Sequence, residues 1–514
     1  MTLHLSIVLW LPIAFGVLGL FAPPKLAGRV ALLGAGLVLA YAVLYVADFD
    51  MTSGGLQYVT DETWIAELGI HYKLGLDGLN IVFVLLTAIT WFAATLWANF
   101  SDFEKPRLFF FHLLIGETAV LGALLAQDLA LFVLFFDLML IPFFFLVGTW
   151  GGPARIAATT KMVIYTLVGS LLMLTAAVAT GVLAANGAEA SLSFAFSDLA
   201  QRPLGEGTQE WIFLFFAAAF LVKMPAFPLH GWMPDAYRQM PLPALAVFSA
   251  VLSKVAAYGF LRVCAPLFPH AMEKFQTLLL SIALASILYG SAMAFTTTQA
   301  RLILGYSSVA QLGFIVMGIF ALNEQGAQGA VLQSFNHGLV VAPAFFIVAL
   351  LAERSGGSED IRDMGGLAMR APALAALFLI VAFATLAMPG SANFVGEFLI
   401  LLGVFETKMV FSIVAFAGVV MASVYALRLY IRTMHYRTGP AVQSREISLR
   451  DGLVLVPLVL AIIAISLYPQ FLLKRTERTI TATPADAAAN VDLDSGWTAY
   501  APLQVPPPQE QDGP

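Results

Sequence analysis

Charge is what this chain of 514 residues has least of. Lys, Arg, Asp and Glu together make up 11% of it, against about 25% in an ordinary water-soluble protein. With 60% of its residues apolar, a soluble globular domain is ruled out. The charge balance is mild, 26 Lys+Arg against 32 Asp+Glu, so there is no basic footprint for nucleic acid. One cysteine, Cys264, is present, which excludes a disulfide framework, a thiolate zinc site and a cysteine-ligated iron–sulfur cluster. The histidines offer no pair on facing helices with the spacing of a haem site.

What is abundant is apolar sequence in long stretches. Runs of about 18 residues or more fall near 4–22, 27–47, 78–99, 108–126, 129–149, 160–185, 211–229, 243–262, 276–295, 301–320, 327–352, 371–403, 409–436 and 452–473. They predict an all-α, polytopic membrane protein of about 14 transmembrane helices, with no room for a sizeable extramembrane domain. Very short connections join 108–126 to 129–149 and 276–295 to 301–320, as tight antiparallel hairpins require. The first run lacks a positive flank and a convincing cleavage site, so it reads as a retained helix. Residues 479–514 are rich in Pro, Ala and acid and read as an extended tail. Lysines and arginines concentrate in connections after odd-numbered runs, such as Lys105, Arg155, Lys161 and Arg437. That asymmetry places both termini on the non-cytoplasmic side.

Five charges stand out deep within these runs: Glu117, Asp137, Lys223, Lys254 and Glu397. An ionisable group at membrane depth costs a few kcal/mol, so it is paired or lines an ion route. A carboxylate about 4 Å from an ammonium gains about 4 kcal/mol at an effective dielectric of 20, so withdrawing it loosens the lysine's hold on its proton. On this reading Lys223 is the switch and Asp137 its partner, with Lys254 as relay and Glu397 as terminal acceptor. His230 and His337 form a second tier that serves relay or packing equally well, and His112, Asp128 and Asp235 a third. Proline adds a signal. Pro225 and Pro228 follow Lys223, and Pro389-Gly390 precedes Glu397. Breaks in two helices close to buried charges point to an inverted-repeat transporter with a midplane ion path.

The runs LVKMPAFPLHGWMPDAY (221–237), SKVAAYGFLR (253–262), ILGYSSVAQLGFIVMG (303–318), LQSFNHGLV (332–340) and MPGSANFVGEF (388–398) together resemble the antiporter-like proton-channel subunits of respiratory complex I. That family includes subunits of multi-subunit Na+/H+ antiporters and membrane-bound hydrogenases. The resemblance covers about residues 70–470. Glutamate at 397, where other branches carry lysine, points to the NuoM-like branch, and the length agrees. The resemblance implies two inverted five-helix repeats with broken seventh and twelfth helices. It divides the chain into an N-terminal segment 1–107, repeats 108–262 and 276–436, a C-terminal helix 437–478 and the tail.

It also implies a proton route along Asp137, Lys223, Lys254 and Glu397, with Glu117, His230 and His337 as further relays. The chain would serve as a translocase subunit of a NADH:quinone oxidoreductase in a bacterial inner membrane. It would do no redox chemistry and bind no cofactor or metal; flavin, iron–sulfur clusters and quinone would belong to other subunits. Its partners would be NuoL-like and NuoN-like neighbours, lipid and protons. The alternatives are a Na+/H+ antiporter subunit, which Glu397 argues against, and a structural subunit that no longer pumps. Three features depart from the family pattern: Asp137 in place of glutamate, Gln311 in place of histidine, and the pair Gln299-Ala300, which leaves a charge pair often expected there partly missing. With Gln311 unable to titrate, His337 becomes the expected central relay.

Overall fold

The computed structural model describes residues 4–188 and 190–481. Its helices in chain order are α1 (Leu5–Phe21), α2 (Pro24–Asp48), α3 (Asn80–Asn99), α4 (Pro106–Leu125), α5 (Leu129–Trp150), α6 (Arg155–Ala188), α7 (Glu206–Lys223), α8 (Leu242–Leu267) and α9 (Gln276–Thr296). They continue with α10 (Ala300–Ile319), α11 (Glu324–Arg354), α12 (Pro372–Thr385), α13 (Ala392–Met434), α14 (Leu449–Leu467) and α15 (Gln470–Thr481); α13 is two helical parts that meet at non-helical backbone at Lys408. Among the described residues, 11 helices are long and apolar enough to cross a membrane. α1 and α12 are apolar but shorter. α7 carries Glu206, Glu210 and Lys223. Helices dominate because lipid offers no hydrogen bonds, so each segment must satisfy its own backbone.

The bundle is organised around α8, α10 and α11, whose apolar stretches are wholly or almost wholly buried. α2, α6, α13 and α14 turn large apolar side chains outward, Leu171, Phe416 and Leu460 among them. Such a face suits a lipid-exposed ring around a protein-lined centre. α8 is not a regular helix. Two wider turns, Phe248–Leu252 and Phe260–Cys264, interrupt it on either side of Lys254, and turns of this kind release a backbone carbonyl from the helical ladder.

Two departures from the sequence reading concern the outer ends of the bundle. Between α2 and α3 the chain forms an antiparallel hairpin of β1 (Gln57–Ile65) and β2 (Ile70–Leu76), so the fold is not purely helical. Tyr, Val, Thr, Trp and Ile favour extended backbone there, and Asp61 ties the strands together with Lys73 at 2.9 Å and His71 at 2.7 Å. Burial raises the Asp61 carboxyl, but these two partners hold it below its ordinary value. The run expected to end at residue 262 continues as α8 to Leu267, so Arg262 belongs to the second wide turn of α8 and is buried.

The expected tail begins inside α15, which continues to Thr481; residues 482–514 lie outside the described residues. α15 lies over the turn before α3. The Gly78 amide donates to Thr479 Oγ1 at 3.0 Å, and Arg475 donates to the Val46 carbonyl at 3.2 Å.

Candidate ion path inside the bundle

α7 stops at Lys223 because Pro225 and Pro228 cannot continue its hydrogen-bond ladder. The chain resumes as a tight turn, Leu229–Trp232, and a short helix, Met233–Gln239. Side chains take up the freed backbone groups: Trp232 Nε1 donates to the Val222 carbonyl at 3.0 Å, and Ser286 Oγ accepts from the Phe227 amide at 2.9 Å. Lys223, 6% exposed, therefore ends a helix rather than interrupting one. Its Nζ donates to the Phe136 carbonyl at 3.5 Å and lies 4.8 Å from the centre of the Phe136 ring. Asp137 is the next residue along, and Lys223 and Ser170 are the groups that act on its carboxylate. The two charges do not close to the 4.0 Å of an ion pair, and Asp137 Oδ1 is buried with no hydrogen bond in the chain.

Lys254 is fully buried. Its Nζ donates to the Ser249 carbonyl at 2.7 Å, an oxygen belonging to the first wide turn of α8. Ser249 Oγ meets Ser308 Oγ of α10 at 3.4 Å. From α11, His337 faces the same region: Lys254 is the charge that acts on it, and its Nδ1 is buried without a hydrogen bond. Between Lys223 and Lys254 the packing is aromatic. Phe220 touches Phe136 at 5.7 Å and Phe260 at 5.1 Å between ring centres, and Phe132 reaches Tyr258 at 6.4 Å.

The second break separates α12 from α13. Backbone at Ala387 and Gly390 takes positive φ, 53° and 90°, a region glycine enters without strain. α13 restarts at Ala392, whose carbonyl accepts from Asn336 Nδ2 at 2.6 Å. One turn later Glu397, 2% exposed, accepts from Gln333 Nε2 at 3.3 Å, and the same amide donates to Gln311 Oε1 at 2.7 Å. The close approach of α13 to α11 depends on Gly396, where an added Cβ would lie 2.6 Å from Gln333 Oε1. Tyr425, farther along α13, accepts from Ser307 Oγ at 2.9 Å.

The other expected residues lie elsewhere. Glu117 is fully buried, and neither carboxylate oxygen has a hydrogen bond in the chain. His230 packs between Phe227 and Tyr289. His112 bonds the Leu108 carbonyl of its own helix, and Asp235 pairs with Lys161 at 2.8 Å. Asp128 caps α5, accepting from Leu131, and also accepts from the His71 amide of β2. A scan for charge passed over the neutral members of the site: Gln333, Asn336, Ser249, Ser307 and Tyr425. Their signal was amide and hydroxyl groups within helices having no polar face to give them. It also missed Asp77, which forms a buried ion pair with Arg262.

Residues 126–423 match the family described as NADH:quinone oxidoreductase/Mrp antiporter, transmembrane. NADH-quinone oxidoreductase subunit M of Rhodobacter capsulatus is 36% identical over 97% of this chain and 98% of its own. Subunit M of Escherichia coli is 37% identical over 88% and 91%. Among solved structures, a chain of respiratory complex I from Thermus thermophilus superposes with a TM-score of 0.84 at 31% identity, covering 93% of this chain and 99% of that one. A chain of the Mrp complex from Dietzia shares the fold at a TM-score of 0.80 and 18% identity, covering 97% of this chain and 53% of that one. Matched along nearly its whole length, in both sequence and fold, this polytopic membrane protein belongs to the NADH:quinone oxidoreductase/Mrp antiporter family.

Proposed function

We propose that the chain is the M-type membrane-arm subunit of a proton-translocating NADH:quinone oxidoreductase and moves protons through Asp137, Lys223, Lys254, His337 and Glu397. The observation that carries this reading is Lys254, fully buried with a backbone carbonyl as its hydrogen-bond partner and no carboxylate among the described residues in ion-pair contact. Burying an ammonium in this way costs several kcal/mol, and within a membrane bundle such a cost marks a charge that has to move. Buried polar atoms without partners, on Asp137, His337, Gln333 and Glu397, give water places to bridge the gaps. The aromatic contacts around Phe220 make hydration there the slow step between the two lysines.

In this reading fourteen spans, two of them broken, form inverted five-helix repeats over 108–262 and 276–436. Both termini face away from the cytoplasm of a bacterial inner membrane, and NuoL-like and NuoN-like subunits flank the chain. The chain acts as translocase. Electron transfer, with its flavin, iron–sulfur clusters and quinone, takes place in other subunits, and Glu117 and His230 act as side relays. Each charge moved works against about 2.3 kcal/mol per 100 mV of membrane potential.

The test is the assembled enzyme in proteoliposomes. Lys254→Met removes the titratable group and keeps the apolar stem. The reading expects quinone-coupled proton uptake to collapse in a complex that still assembles. Proton output equal to wild type would assign the chain a scaffolding role.

A further inference from the structure

We infer that the Tyr425 hydroxyl, fixed by Ser307, is the proton relay through which Glu397 is loaded and unloaded. The inference rests on the translocation reading above and adds a residue to it. Glu397 is surrounded by amides: Gln333 donates to its Oε1 and to Gln311. An amide can hold a carboxylate in place but gives up no proton at physiological pH, so neither glutamine can hand one on. Glu397 Oε2 has no hydrogen bond among the described residues, leaving one side of the carboxylate open to water.

Tyr425, 1% exposed, lies beyond the non-helical backbone at Lys408 that divides α13, and Ser307, which holds its hydroxyl, stands one turn from Gln311 on α10. Because Ser307 Oγ donates to Tyr425 Oη at 2.9 Å, the tyrosine's own hydrogen is free to point onward. Ser307 is itself buried and precedes Ser308, whose hydroxyl meets Ser249 at 3.4 Å. The Ser249 carbonyl is the one that holds Lys254. Buried hydroxyls of Ser249, Ser308, Ser307 and Tyr425 therefore stand on the elements between the lysine and the glutamate, with water joining them into a route.

The step balances as a concerted hop. The Tyr425 Oη–H bond breaks as its proton passes to a bridging water, and that water gives one of its own protons to Glu397 Oε2, which has no partner among the described residues. Tyr425 regains a proton from Ser307 Oγ, and Ser307 regains one from water supplied on the Lys254 side. Lys254 ends neutral and Glu397 ends protonated, with every hydroxyl restored. Discharge runs the same bonds in reverse or releases the proton to water beyond Glu397.

The experiment compares Tyr425→Phe with wild type in the purified complex and in proteoliposomes. Phenylalanine keeps the ring and deletes one oxygen. The expected result is quinone-coupled turnover and proton uptake lowered about tenfold or more. NADH oxidation by a soluble artificial acceptor and assembly should be unchanged. Ser307→Thr retains a hydroxyl and should stay near wild type. Gln311→His in the Tyr425→Phe background places a titratable group beside Glu397 and should restore several-fold of the lost rate, which a packing role for the ring would not allow. Wild-type turnover in Tyr425→Phe while Lys254→Met is inactive overturns the relay alone. An assembled Tyr425→Phe that is slow but gains nothing from Gln311→His overturns it as well. An active Lys254→Met overturns the underlying reading instead.

Discussion

Arg262 of α8 and Asp77 of the turn before α3 meet as a buried ion pair, 185 residues apart in sequence. The guanidinium also donates to Tyr258 Oη at 2.9 Å, and the other Asp77 oxygen accepts from the Leu79 and Asn80 amides. Each charge is thus compensated on more than one side, which a buried pair requires. Tyr258 is one turn from Lys254 on the same helix, so the pair anchors α8 about two turns beyond the central lysine.

Removing one partner should expose the cost of the other. Asp77→Ala leaves a buried guanidinium without its carboxylate and is expected to lose about 3–5 kcal/mol, seen as a lower Tm and poor assembly in detergent. Replacing both, Asp77→Leu with Arg262→Leu, removes the desolvation cost and should recover most of that stability. A single variant as stable as wild type would show that the pair is solvated in the membrane.

The separation between Asp137 and Lys223 predicts an asymmetric pair of variants. Asp137→Glu adds one methylene and lets the carboxylate approach Nζ, so proton output should persist. Asp137→Asn removes the charge that acts on Lys223 and should lower coupled turnover about tenfold. Steady-state quinone reduction with simultaneous proton uptake reads both; equal rates in the two variants would dissociate Asp137 from the switch.

A methyl group at position 396 should act on the site without touching a charge. Gly396→Ala forces the Gln333 amide away from its present place, so coupled turnover should fall while assembly holds. Gly187→Ala, where an added Cβ meets nothing within 4 Å, serves as the matched control and should behave as wild type.

The connection between α11 and α12 has its own pH dependence. Arg362 and Thr298 bind Asp360, and Arg362 above all lowers its carboxyl to about 2. A group depressed in the folded state contributes stability that is present above its ordinary value of 3.8 and is lost as pH falls through the folded value. The loop should therefore stay anchored at neutral pH and loosen between about 4 and 2. Hydrogen exchange at the Ile361 and Arg362 amides would show it, and Asp360→Asn should exchange fast at every pH.

Much of this was legible in the sequence, for a physical reason. Lipid tolerates neither open backbone nor stray charge, so hydropathy located the helices, and Lys223, Lys254 and Glu397 stood out as violations. Pro225, Pro228 and Pro389 marked the breaks for the same reason. The hairpin at 57–76 was hidden because its strands are short and lie between two strong apolar runs. The run 243–262 stopped short of Leu267 because Arg262 interrupts its apolar sequence, and the partner that compensates it, Asp77, lies far away in sequence. The neutral polar groups escaped because serine, glutamine and tyrosine within a helix cost too little to be conspicuous; three-dimensional packing was needed to align Ser307 with Tyr425 and Gln333 with Glu397.

The bond from Gly78 to Thr479 spans 401 residues. A ribosome completes α3 long before it makes α15, so the Asp77 turn must wait through nearly the whole of synthesis for its cover. Chains stopped just before Gln470 should therefore keep every membrane-crossing helix yet leave that turn open.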